Sequence, residues 1–125
     1  MEDINVITNN PLIKEKYSGC IPIEYQEVGY LKLLEIVRNK IHSGSKLLTH
    51  PLSSSVKPNE TPYKTIAIAN ENDLDMDSLL MIEQSIETAK KFLKDDQNPK
   101  FSEETLKDCQ VIDLSIVASV LDNLL

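Results

Sequence analysis

Four short apolar runs, INVIT at 4–8, IPIEYQ at 21–26, KLLTH at 46–50 and TIAIA at 65–69, alternate with segments of a different period. Apolar runs this short, rich in β-branched residues, suit buried strands rather than helices. Asn10-Pro11 has the form of a helix start, with Asn as N-cap and Pro in the first helical position. PLIKEKY at 11–17 is therefore read as a short helix ending at Ser18-Gly19. After Gly29, the apolar positions Tyr30, Leu34, Val37 and Ile41, with Leu31 and Leu33 beside them, recur at three and four residues. That spacing predicts an amphipathic helix, closed by His42-Ser43-Gly44 where a C-cap glycine is expected.

The third helix is the clearest. Asp73, Asp75 and Asp77 crowd its start and Lys90, Lys91 and Lys94 its end, as the helix dipole favours. Leu79, Ile82, Ile86, Ala89 and Leu93 form its buried stripe. Ser102 caps a last helical region running through Leu125, with Asp108 as the place for a break. Its stripe is Leu114, Val117, Leu121 and Leu124, and Ile116 and Val120 flank it. A helix apolar on more than one side suggests a homo-oligomer contact through Ile116, Val120 and Leu124. Alternation of strands and helices predicts a single α/β domain over residues 1–125: a small layered fold with a mainly parallel sheet of about four strands and helices packed on it.

The net charge of −7 argues against nucleic-acid binding, which runs on clustered Lys and Arg. No apolar span reaches membrane length, and MEDINVIT carries no basic segment ahead of an apolar one. No membrane association or secretory leader is expected. Cys20 and Cys109 have neither CxxC nor metal spacing, so two free thiols in a reducing cytoplasm are expected. The charge is uneven: from His42 to Thr65 the balance is +2, which leaves −9 for the remainder. A cationic segment on an acidic protein is where a small anion would be drawn.

VITNNPL at 6–12 and LLTHPL at 47–52 end two of the runs with the same polar punctuation. In open α/β sheets, ligands bind beyond the carboxyl ends of parallel strands. If those two strands are parallel and adjacent, Thr8, Asn9, Asn10, Thr49 and His50 share one rim. From Leu52 to Pro62 the chain shows no strand or helix pattern, and a loop of that length in a small domain calls for a function. Ser53, Ser54, Ser55, Lys57, Asn59 and Tyr63 are its candidate ligand-binding residues, since hydroxyls, backbone amides and a cation can wrap a phosphate or carboxylate. Neither GxxxxGK[ST] nor GxGxxG occurs, which speaks against ATP and dinucleotides. His50 beside Glu60 would make a catalytic acid/base pair. His42, His50 and Glu60 lack helical His-x-x-x-His spacing, so no metal site is expected.

TNNPL near the start, RNKIHSGSKLLTHPL in the middle and SSVKPNETPYKT after it resemble the GrdX family. The resemblance follows the chain in order and thins over the two C-terminal helices. It implies an anaerobic, amino-acid-fermenting bacterial cytoplasm and an accessory role around the selenium-dependent glycine, sarcosine and betaine reductase system, whose components are the implied partners. It assigns no reaction, cofactor or residue role. The function expected is a small-anion or metabolite-binding module using the loop at 42–64. Two readings stand against it: a small enzyme acting on a phosphorylated or carboxylated metabolite through His50 and Glu60, and a purely structural interaction protein.

Overall fold

The INVIT run forms strand β1, Asp3–Thr8, and everything else is arranged around it. The computed structural model describes residues 3–52, 56–94 and 99–124. Ser53, Ser54, Ser55 and Leu125, to which the sequence assigned roles, lie outside them. In chain order the elements are β1, α1 (Pro11–Tyr17), β2 (Ile23–Tyr25), α2 (Tyr30–His42), β3 (Ser45–Leu47), β4 (Thr65–Asn70), α3 (Met76–Phe92) and α4 (Glu103–Asn123). The strands form one sheet in the order β2-β1-β4-β3.

The α/β class holds, but the sheet is mixed rather than mainly parallel. β1 pairs in parallel with β2, Val6 opposite Ile23, and antiparallel with β4, Thr8 opposite Thr65. β3 also pairs antiparallel with β4, Leu47 opposite Ile68. The reason lies in the connections. A parallel neighbour needs a crossover, usually a helix, and α1 supplies one between β1 and β2. The segment between β3 and β4 contains no helix among its described residues, and it returns the chain alongside its own partner in the opposite sense. β1 and β3 therefore run the same way but are not adjacent, because β4 lies between them.

Each strand sends alternate side chains to opposite faces. Ile7, Ile66 and Ile68 pack with the α2 residues Leu33, Leu34, Val37 and Ile41 and the α3 residues Ile82, Ile86 and Ala89. Val6 and Ala67 face the other way, onto Ile13 and Tyr17 of α1 and Val117 and Leu121 of α4. The result is three layers, with α2 and α3 on one side and α1 and α4 on the other. The expected stripes of α2 and α3 are the ones buried, apart from Leu79, which is half-buried. α1 starts as expected too, with the Asn10 side chain accepting from the Leu12 amide and Pro11 opening the helix.

Two elements differ from expectation. β3 stops at Leu47 because the Thr49 hydroxyl, rather than a backbone carbonyl, accepts the Ala67 amide at 3.1 Å. α4 runs unbroken past Asp108, and it is rotated so that Cys109, Asp113, Val117 and Leu121 are its buried residues. Leu114, Ile116 and Leu124 are half-buried against the same core. The large apolar side chains left exposed on this helix are Val111, Ile112 and Val120. Among the described residues no helix is long and apolar enough to cross a membrane.

Gly44, which ends α2, has φ +109°, and a Cβ there would sit 3.1 Å from the backbone of Asn72. Both the dihedral and the close approach exclude a side chain without strain. Gly44→Ala should therefore lower unfolding free energy by about 1–3 kcal/mol in urea titration. An unchanged midpoint would show that this corner relaxes freely.

Candidate functional site

The carboxyl ends of β1 and β3 and the start of β4 lie at one edge of the sheet, and a buried polar network occupies its centre. Thr8 and Thr65 are opposite one another, and their hydroxyl oxygens are 2.7 Å apart. The Thr65 hydroxyl donates to Asp113 Oδ2 at 2.7 Å, and the Asn10 side-chain amide donates to the same oxygen at 2.9 Å. Thr65 has one proton to give, so Thr8 must be the donor in the Thr8–Thr65 bond. Thr8 Oγ1 in turn accepts the Asn10 backbone N–H at 3.0 Å. One directed chain of hydrogen bonds thus runs from the start of α1, across both strands, to α4.

The returning loop is docked onto this edge. Asn9 donates to the carbonyls of Val28 and Pro62 at 2.9 and 2.8 Å and accepts the Lys64 amide at 2.8 Å. Gln110 of α4 donates to the Tyr63 hydroxyl at 2.8 Å, and the Cys109 thiol lies 3.7 Å from the Glu60 carbonyl. A tight turn precedes these contacts: the Glu60 amide donates to the Lys57 carbonyl, and the Glu60 carboxylate accepts the Lys57 amide. Residues 56–64 are therefore held at both flanks, which meets the entropy of ordering them.

Between this loop, the first turn of α2 and α4 lies a pocket of about 40 Å³, lined by Tyr30, Glu60, Thr61, Tyr63, Lys64, Cys109, Ile112 and Asp113, among others. Lys64 and Tyr30 are each only 4% exposed and Asp113 6%. Among the described residues the Lys64 amine and the Tyr30 hydroxyl have no hydrogen-bond partner, and no ion pair joins Lys64 to Asp113. Among the described residues no fully enclosed side-chain nitrogen or oxygen lacks a partner, so both groups keep some contact with solvent, and both residues line the pocket.

Electrostatics follow from burial. Desolvation pulls the Lys64 amine below its usual range, and the Asp113 charge only partly restores it. Desolvation pushes the Asp113 carboxyl up, opposed by the bonds from Asn10 and Thr65 and then by Lys64. Burial, and then the Asp113 charge, raises Tyr30, so its phenol stays protonated. The pocket thus presents an amine held below the usual lysine range, a carboxylate pushed above its own and a neutral phenol.

The structure distributes the residues expected from sequence as follows. Thr8, Asn9 and Asn10 are buried, and their polar side-chain atoms are engaged by the protein itself. Thr49 shares their edge of the sheet but caps β4 rather than adjoining Thr8. His50 is exposed, and its Nδ1 accepts the Leu52 amide at 2.9 Å. Glu60 lines the pocket, but among the described residues no hydrogen bond or ion pair links it to His50. Lys57 is exposed, its ammonium 5.8 Å from the centre of the Phe92 ring. Asn59 is exposed as well, and Tyr63 lines the pocket. Among the described residues, no three His, Cys, Asp or Glu side chains converge as metal ligands would.

Lys64, Asp113 and Tyr30 were not singled out by sequence reasoning. Asp113 had a signal. With Cys109, Val117 and Leu121 it falls on one line of four-residue spacing, and an acid on an otherwise apolar helix face needs buried donors. Lys64 had none, because a lysine next to a strand is normally solvated.

Removing the Asp113 carboxylate would strand the Thr65 hydroxyl and one Asn10 N–H. Each orphaned donor costs about 1–3 kcal/mol, so Asp113→Ala should lose about 2–4 kcal/mol of stability by urea denaturation. Asp113→Asn, which keeps one acceptor oxygen, should lose less. Equal stability of Asp113→Ala and the wild type would remove the network from any structural role.

No curated protein and no solved structure matches the chain. A family model described as GrdX-like protein matches residues 5–122. That match runs from β1 to the last turn of α4 and includes every pocket residue, and the chain accordingly belongs to the GrdX-like protein family.

Proposed function

We propose that this protein binds a small polar metabolite in the Lys64–Asp113 pocket, as an accessory module rather than a catalyst built on His50 and Glu60. One observation carries the reading: a lysine only 4% exposed lines the pocket, and among the described residues its amine has no protein acceptor. Its amine keeps little contact with water, so a ligand acceptor would replace sparse hydration with a charge-assisted bond. The pocket also contains Asp113, which disfavours a bare polyanion. A ligand with an acceptor for Lys64 and Tyr30 and a donor for Asp113 fits both ends. This moves the expected anion site of the loop from Lys57 to Lys64, on the other side of the turn. An accessory role around the glycine reductase system, which the earlier resemblance implies, makes glycine and small carboxylates the first ligands to try. A cytoplasmic site of action belongs to the same proposal.

Isothermal titration of glycine, acetate and phosphate against the wild type, Lys64→Met and Lys57→Ala provides the test. A charge-assisted bond from Lys64 contributes about 1.5–3 kcal/mol, so Lys64→Met should weaken binding roughly ten- to a hundredfold. Lys57→Ala should leave it unchanged. Equal binding by Lys64→Met, or selective loss in Lys57→Ala, would place the site elsewhere.

A further inference from the structure

We propose that the Lys64 amine is a nucleophile that condenses reversibly with a small aldehyde or 2-oxo acid to form an imine inside the pocket. The inference rests on the binding reading above and narrows its ligands to carbonyl compounds.

Three features of the pocket support it. First, the amine is buried but not ion-paired. A paired ammonium would be fixed as the cation, whereas burial without an ion-pair partner lowers the cost of losing the proton, which is how a lysine becomes a nucleophile. Second, Asp113 faces the same space, held by Thr65 and Asn10 through one oxygen. A carboxylate there stabilises a protonated imine. Third, the Tyr30 phenol lines the pocket without a protein partner and can donate to a carbonyl oxygen. The pocket of about 40 Å³ holds roughly three water-sized groups, which favours two- and three-carbon compounds.

The step balances without a further reagent. The lone pair of the neutral amine attacks the carbonyl carbon, and the C–N bond forms as the carbonyl π pair moves onto oxygen. A nitrogen proton passes to that oxygen by way of the Asp113 carboxylate, giving a carbinolamine. The C–O bond then breaks, water leaves with the oxygen and both amine protons, and C=N remains. Nothing is oxidised or reduced, and hydrolysis reverses the sequence.

Incubation of the full chain with glyoxylate or acetaldehyde and cyanoborohydride, followed by peptide mass mapping, tests this directly. Lys64 should carry the reduced adduct at carbonyl concentrations about tenfold below those that label the exposed Lys57 and Lys100. Asp113→Asn, with its fold checked by circular dichroism, should shift the pH dependence of Lys64 labelling to lower pH, because losing the opposing carboxylate favours the neutral amine. Adducts confined to exposed lysines, or Asp113→Asn labelling with the wild-type pH dependence, would overturn the inference. Retained binding of glycine or acetate without any Lys64 adduct would overturn it while leaving the binding reading in place. Loss of both would remove the two together.

Discussion

A single carboxylate oxygen, Asp113 Oδ2, holds together parts of the chain about a hundred residues apart in sequence: it accepts from Asn10 at 2.9 Å and from Thr65 at 2.7 Å. Taking a carboxylate out of water costs several kcal/mol, and an apolar residue at this point would pack against Val117 and Leu121 without that penalty. Two charge-assisted bonds offset much of it. What the acid adds is position. It sets the rotation of α4 against β1 and β4, places Cys109 and Gln110 over the loop, and turns one wall of the pocket negative. Lys64 sits across the same pocket, fixed through its backbone by Asn9 rather than through its amine. The two charged groups are therefore held independently of each other, and neither is consumed by an ion pair. Independent anchoring distinguishes this pair from a buried salt bridge whose role ends at stability.

Much of the local structure was legible because it is decided by neighbours in sequence. Asn10-Pro11 opens α1 through a side-chain bond to the Leu12 amide, and the Tyr30 to Ile41 stripe is buried as a three-and-four spacing requires. Strand direction was less accessible. Four alternating apolar runs predict a mainly parallel sheet, yet β3 pairs antiparallel with β4 through a connection that has no helix among its described residues. That absence was visible in Leu52 to Pro62 and was read as a sign of function alone. The loop in fact has a topological task as well, returning the chain antiparallel and delivering Lys64 to the sheet edge.

The pocket was legible in region and in Glu60 and Tyr63, but not in Lys64, Asp113 or Tyr30. Sequence reasoning placed chemistry around the ends of β1 and β3 and the loop between β3 and β4, and the pocket borders that region. It favoured residue types that usually carry chemistry, His50, Glu60 and Lys57, and the fold leaves all three exposed, although Glu60 also lines the pocket. Lys64 and Asp113 derive their properties from burial, which depends on long-range packing. The expected stripe kept Val117 and Leu121 but put Leu114 at its centre, whereas the helix is turned by a fraction of a residue so that Asp113 is buried and Leu114 half-buried. A shift that small cannot be resolved from a helix with apolar residues on several sides.

The claim on which the account depends is that Lys64 is desolvated and unpaired, with Asp113 the charge that opposes its loss of a proton. Tyr30 on α2, Glu60 and Tyr63 on the loop, and Cys109 and Asp113 on α4 line the same pocket. Of these groups Asp113 is the charge that shifts Lys64. A nuclear magnetic resonance titration of the Lys64 side chain, in the wild type and in Asp113→Asn, measures this directly. Lys64 should titrate below the ordinary lysine value of 10.5 and move lower still when Asp113 is neutralised. Titration at or above that value, unmoved by Asp113→Asn, would contradict it.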